Sequence, residues 1–76
     1  MKTYDYRNLP VSKPIMLAKD ILDNLPNDSL VEFIVNCGVS EENIVAYAYS
    51  KGFFVKKEEK NESVHLTILK YTEKSI

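Results

Sequence analysis

The chain has 76 residues, with 10 Lys plus Arg, 11 Asp plus Glu, one His and one Cys, and a formal net charge of -1. That length allows one domain, residues 1–76, with a thin core, while 45% hydrophobic and 28% charged content describes a folded chain rather than a disordered one. A lone Cys excludes an internal disulfide framework, and one Cys with one His cannot close a structural zinc site. The near-neutral balance argues against a nucleic-acid binder. No apolar run approaches the ~20 residues of a membrane span. The first residues, Met1 to Tyr6, lack the apolar core of a signal sequence. A cytoplasmic location with no membrane contact is therefore expected. The only glycines are Gly38 and Gly52, too few for a phosphate loop or a dinucleotide fingerprint. No metal and no cofactor are expected.

In chain order, residues 2–6 alternate and carry two tyrosines, which predicts a short first strand. A loop from Arg7 to Lys13 follows. Pro14 suits the first turn of a helix, and Ser12 is the capping candidate before it. Ile15, Ala18, Ile21, Leu22 and Leu25 recur three and four apart and make one apolar helical face, with Lys19, Asp20 and Asp23 on the other. Pro26 ends the helix and Asn27-Asp28 turns the chain. Residues 30–36 are rich in β-branched and aromatic types and predict a second strand, with Val31, Phe33 and Val35 sharing a face.

Ser40-Glu41-Glu42 opens a second helix, by a capping hydroxyl and by carboxylates at the positive end of the helix dipole. Ile44, Val45, Tyr47 and Ala48 supply its buried face, and Gly52 sits where a left-handed residue closes it. Phe53 to Glu59 and Ser63 to Tyr71 predict a closing hairpin around Lys60-Asn61, with Val64, Leu66 and Ile68 on one face. Residues 71–76 read as a frayed tail. The order β-α-β-α-β-β predicts a two-layer α/β sandwich, with both helices on one face of a four-stranded mixed sheet. The first two strands run parallel through a crossover.

If the helices cover one face, Glu32, Ile34, Phe54, Lys56, His65, Thr67 and Leu69 lie on the other. Ile34, Phe54 and Leu69 then read either as scattered surface apolar residues or as a dimer or partner surface. His65 reads as an exposed strand residue rather than a base, because no nucleophile is placed beside it. Arg7 can bind an anion or hold Asp5. Nothing in the sequence sets the separation of Asp5 and Glu32. The mixed-sign run from Lys56 to Lys60 reads as a solvated hairpin end. The tyrosines at 4, 6, 47, 49 and 71 lack the basic surround of a base-stacking platform.

The stretch Asp5-Tyr6-Arg7-Asn8-Leu9-Pro10-Val11-Ser12-Lys13-Pro14-Ile15-Met16 resembles the signature of the TusA-like (SirA-like) sulfur-carrier family. That signature runs Asp-x-Arg-Gly-Leu-x-Cys-Pro-x-Pro followed by an apolar pair. Asp5, Arg7, Leu9, Pro14, Ile15 and Met16 match it. Ser40 to Ile44 and Ser50 to Phe53 are similar to the second helix and Gly-aromatic exit of the YedF-like branch, which is associated with selenium metabolism. The resemblance implies a small α/β domain. A Cys at the start of its first helix takes sulfur from a cysteine desulfurase as a persulfide and passes it on. A thiolate at a helix N-terminus is a ready nucleophile.

This chain departs from the signature at its centre. Val11 stands at the Cys, Ser12 at the first Pro and Asn8 at the Gly. A valine cannot form a persulfide, and a serine hydroxyl does not accept sulfane sulfur. The resemblance then implies a non-catalytic protein-binding or regulatory module in sulfur or selenium metabolism. Its partner, a sulfur- or selenium-handling protein, would meet a rim of Arg7, Asn8, Val11, Ser12, Lys13 and Pro14. Two alternatives stay open. One is a working sulfurtransferase that uses Cys37, which follows the second strand and should share the rim with Val11. The other is a homodimer or docking module built on the open sheet face.

Overall fold

The computed structural model describes residues 1–71. Of the tail expected at 71–76, all but Tyr71 lie outside the described residues. The elements are β1 (Lys2–Asp5), α1 (Lys13–Asp23), β2 (Ser29–Asn36), α2 (Val39–Ser50), β3 (Phe54–Lys60) and β4 (Ser63–Lys70). They form a two-layer α/β sandwich whose four-stranded mixed sheet has the order β1-β2-β4-β3. β1 runs parallel to β2, while β4 is antiparallel to both β2 and β3.

The two-residue period of β2 and β4 sends Val31, Phe33 and Val35, with Val64, Leu66 and Ile68, to one side of the sheet. All six are buried against Ala18 and Leu22 of α1 and Ile44 and Ala48 of α2. Both helices therefore cover the same face. The rings of Tyr4 and Tyr6 lie 5.7 and 5.8 Å from that of Phe33 and anchor the first strand to the second. On the outer side of the helix pair, the Tyr47 hydroxyl donates to the Asp23 carboxylate, and Lys51 Nζ lies 3.6 Å from the same carboxylate.

Local chemistry sets the ends of the elements, in places differently from expectation. Pro14 occupies the first turn of α1, but the Ser12 hydroxyl makes no cap bond there. α2 starts one residue earlier than its Ser-Glu-Glu signal suggests, with Gly38 as its N-cap at φ 109° and ψ -130°. That conformation is open to glycine and strained for any residue with a Cβ. Ser40 sits inside the first turn of α2, and its hydroxyl points elsewhere. Phe53 precedes β3 rather than opening it, because its N–H bonds the Ala48 carbonyl as part of the helix exit. Gly52, at φ 79°, closes α2 in the left-handed region. Among the described residues no helix is long and apolar enough to cross a membrane.

Candidate functional site at the rim of the sheet

Parallel pairing of β1 and β2 puts their C-terminal ends side by side, with Asp5 opposite Ile34. The chain leaves each of these ends into a loop that opens a helix. Residues 7–13 and 37–40 therefore share one rim, and the N-termini of α1 and α2 both arrive there.

Three hydrogen bonds tie the two strand ends and their following loops together. Asn36 Nδ2 donates to the Arg7 carbonyl at 2.9 Å, Tyr6 N–H donates to the Ile34 carbonyl at 2.8 Å, and Ser40 Oγ donates to the Val11 carbonyl at 3.4 Å. Ser40 thus spends its hydroxyl on holding the 7–13 loop rather than on capping its own helix. Sequence reasoning missed both the Ser40 and the Asn36 contacts. A polar side chain at a strand end or in a first helical turn signals a local cap as readily as a long-range tie.

Within the rim, Val11 is 61% exposed and Val39 is 55% exposed, with Leu9 also at the surface. Asn8, Ser12 and Lys13 are exposed too. Pro14 is not presented: it is fully buried and packs the start of α1 against the core. Arg7 holds its own neighbour, with Nε 2.9 Å and Nη2 2.5 Å from the two Asp5 oxygens. This bidentate pairing, aided by the Arg7 backbone N–H, lowers the Asp5 carboxyl to about 2. Cys37 is exposed on the same rim, and its N–H bonds the Glu62 carbonyl in the hairpin turn.

Glu41 braces the second loop from below. Its side chain is only 10% exposed, with Oε2 2.6 Å from Lys57 Nζ and Oε1 accepting from Gly38 N–H at 3.3 Å. The Lys57 hydrogen bond holds the Glu41 carboxyl below its ordinary value, and the Gly38 amide adds to this. Sequence analysis placed Glu41 at the helix dipole and had no means of finding Lys57.

On the open face, Glu32 accepts from His65 Nδ1 at 3.1 Å and from Thr3 Oγ1 at 2.9 Å. Those two bonds, His65 foremost, lower the Glu32 carboxyl. His65 is thus a half-buried partner of Glu32, with no nucleophile among its contacts. The sheet register does not bring the three expected open-face apolar residues together. Leu69 is opposite Phe54, whereas Ile34 is opposite His65, four residues earlier in β4. A cleft of about 560 Å³ opens at the other end of the molecule, between β1, the end of α1 and the start of β2. Tyr4, Ile21, Leu25 and Leu30 are among its lining. It carries no cluster of groups able to do chemistry, and among the described residues no three His, Cys, Asp or Glu side chains converge as a metal site requires.

The lowered carboxyls set the acid response of the fold. A carboxyl whose folded value is depressed stabilises the protein above its unfolded value and loses that contribution as pH falls through the folded one. The ordinary values are 3.8 for Asp5 and 4.5 for Glu32 and Glu41. The urea midpoint should therefore hold steady from about pH 7 to pH 5 and fall from about pH 4.5 toward pH 2. Glu41→Gln should start lower and fall less over that window. A midpoint that is flat or rises on acidification would contradict these pairings.

Comparison with known proteins gives a consistent result. A family model described as sulfurtransferase TusA matches residues 2–70. The crystal structure of a SirA-like protein from Desulfitobacterium hafniense superposes with a TM-score of 0.79 at 23% identity. The match covers 95% of this chain and 100% of that one, and the likeness establishes a shared fold. No curated protein sequence matches the chain.

Proposed function

Because the chain belongs to the sulfurtransferase TusA family, we propose that it is a member that keeps the scaffold without the sulfur-bearing group. It works as a non-catalytic protein-binding or regulatory module in sulfur or selenium metabolism. One observation carries this reading. Val11, at the position that the signature gives to the carrier thiol, is 61% exposed on the rim, which also exposes Val39 and Leu9. An isopropyl group offers a partner apolar contact and no nucleophile. The surrounding loop is held in place by Ser40, Asn36 and the Asp5–Arg7 pair, so the surface is organised before a partner arrives, which lowers the ordering cost of binding.

A second reading has its own support. Cys37 is exposed on the same rim, and a thiol there would let the chain act as a sulfur carrier from a shifted position.

The test is capture of a defined partner by the tagged chain from its own cells, followed by rebinding of the purified pair. Val11→Asp is expected to weaken that binding at least tenfold, by placing an unpaired charge at the centre of the contact, while leaving the thermal melt unchanged. Equal affinity of wild type and Val11→Asp would remove the rim from the account.

A further inference from the structure

The face of the sheet turned away from the helices carries a row of uncovered apolar side chains that crosses β2, β4 and β3, with Met1 just ahead of β1. Leu30 of β2 is opposite Leu69 of β4, and Leu69 is opposite Phe54 of β3. Lys2 pairs with Val31, so Met1 falls beside Leu30 at the same level. Tyr71 extends the row by packing edge-on against Phe54, with ring centroids 5.8 Å apart. Exposure is 73% for Met1, 46% for Leu30, 59% for Phe54 and 55% for Tyr71. The apolar surface is on the order of a few hundred Å², near the upper limit of what a lone soluble domain leaves open. The row lies at the end of the sheet away from the rim.

We infer that this face pairs with the same face of a second copy, about a two-fold axis running along the strands between β2 and β4. An isologous interface must complement itself, and the register meets that condition at the apolar level. The axis sets Leu30 of one copy against Leu69 of the other and Met1 against Phe54. One level toward the rim, Glu32 meets the Thr67 hydroxyl and Thr3 meets Lys56. At the next level Ile34 meets His65. Asp5 and Glu58, which the axis would bring face to face at the edges, are each compensated inside their own chain, by Arg7 at 2.5 Å and by Lys60 at 3.2 Å.

A four-strand face about 19 Å wide and roughly 23 Å long provides less than the ~800 Å² per partner of a standard interface. The pair is accordingly weak and reversible, with a dissociation constant on the order of 10–100 µM. Rotation about an axis along the strands leaves strand direction unchanged. Both rims then point the same way, and the dimer offers two copies of the rim to one side. A partner that is itself paired gains from binding both at once. This last consequence rests on the rim reading above, whereas the dimer does not.

Sedimentation velocity and NMR dilution on the full chain test the inference over a range from about 10 µM to ~1 mM. The expected result is a sedimentation coefficient that rises from monomer toward dimer, with dilution shifts concentrated at residues 30, 54, 69 and 71. Leu69→Lys should weaken self-association at least tenfold. Val11→Asp should leave it unchanged, which separates failure here from failure of the rim reading. The wild-type dilution shifts need no variant, so a misfolded Leu69→Lys does not blunt the test. A monomer at ~1 mM, or shifts that fall on the helices or the rim, would overturn the inference. So would a row that responds only to a different protein.

Discussion

Replacing Phe33 by Ala is expected to cost the fold about 3–5 kcal/mol, the range for truncating a fully buried aromatic side chain. Phe33 is completely buried at the centre of β2 and meets the rings of Tyr4 and Tyr6. Its removal opens a cavity under β1 as well as within the core. A chain of this size has roughly 4–11 kcal/mol of stability in total, so the loss takes a large share of it. The melting temperature should drop by about 12–40 °C at the usual 4–8 °C per kcal/mol for a small domain. The site is affected too, because β1 delivers the 7–13 loop and Phe33 is what holds β1 down. Phe54→Ala, at a 59% exposed position, serves as the matched control and should change stability by less than about 0.5 kcal/mol at low micromolar concentration. Circular dichroism melts measure both. A Phe33→Ala melt within ~5 °C of wild type would mean that the core is not organised around this ring.

The contrast between Phe33 and Phe54 also marks how far the sequence could be read. Alternation within 31–35 and 64–68 and the three-four spacing of Ala18 and Leu22 are local signals. They name the buried side chains before any contact is known. The rim was legible for a related reason. Two strand ends that run parallel must deliver their following loops to the same edge, which brings residues 7–13 and Cys37 to one place whatever the side chains do. The strand order was not legible. Nothing local says that β4 inserts between β2 and β3, so the partnership of Glu32 with His65 and the row from Met1 to Phe54 could not be foreseen. Ile34 was grouped with Phe54 and Leu69 because all three share a face. The register separates them, because sharing a face and sharing a level are different properties of a sheet. Ser40 and Glu41 illustrate the same limit on a helix. Both have side chains suited to a helix start, yet one bonds Val11 and the other pairs with Lys57, partners that only the tertiary fold brings near.

The largest change of function should come from placing a thiol at residue 11 of the rim. In the double variant Val11→Cys, Cys37→Ser, incubation with a cysteine desulfurase and cysteine is expected to add one sulfur atom to most chains. Wild type and Cys37→Ser should gain none. The physical basis is the start of α1. The Ser12 hydroxyl makes no side-chain cap bond to the first amides of α1, and the positive end of a helix favours a thiolate placed near it. That thiolate attacks the outer sulfur of the desulfurase persulfide. A new S–S bond forms at residue 11, the old one breaks, and the desulfurase thiolate leaves, with no net oxidation or reduction. Intact-mass measurement reads the gain, and a dithiol reductant should reverse it. Ser12 in place of the signature Pro tests how much the missing stiffness matters, since Ser12→Pro on the same background should raise the labelled fraction further. If wild type gains sulfur and Cys37→Ser does not, the carrier thiol is Cys37 and the chain is a working relay. If the double variant stays unlabelled beside a labelled family member that has the motif thiol, the 7–13 loop no longer presents residue 11 to the desulfurase. The proposal of a preserved scaffold then fails at its centre.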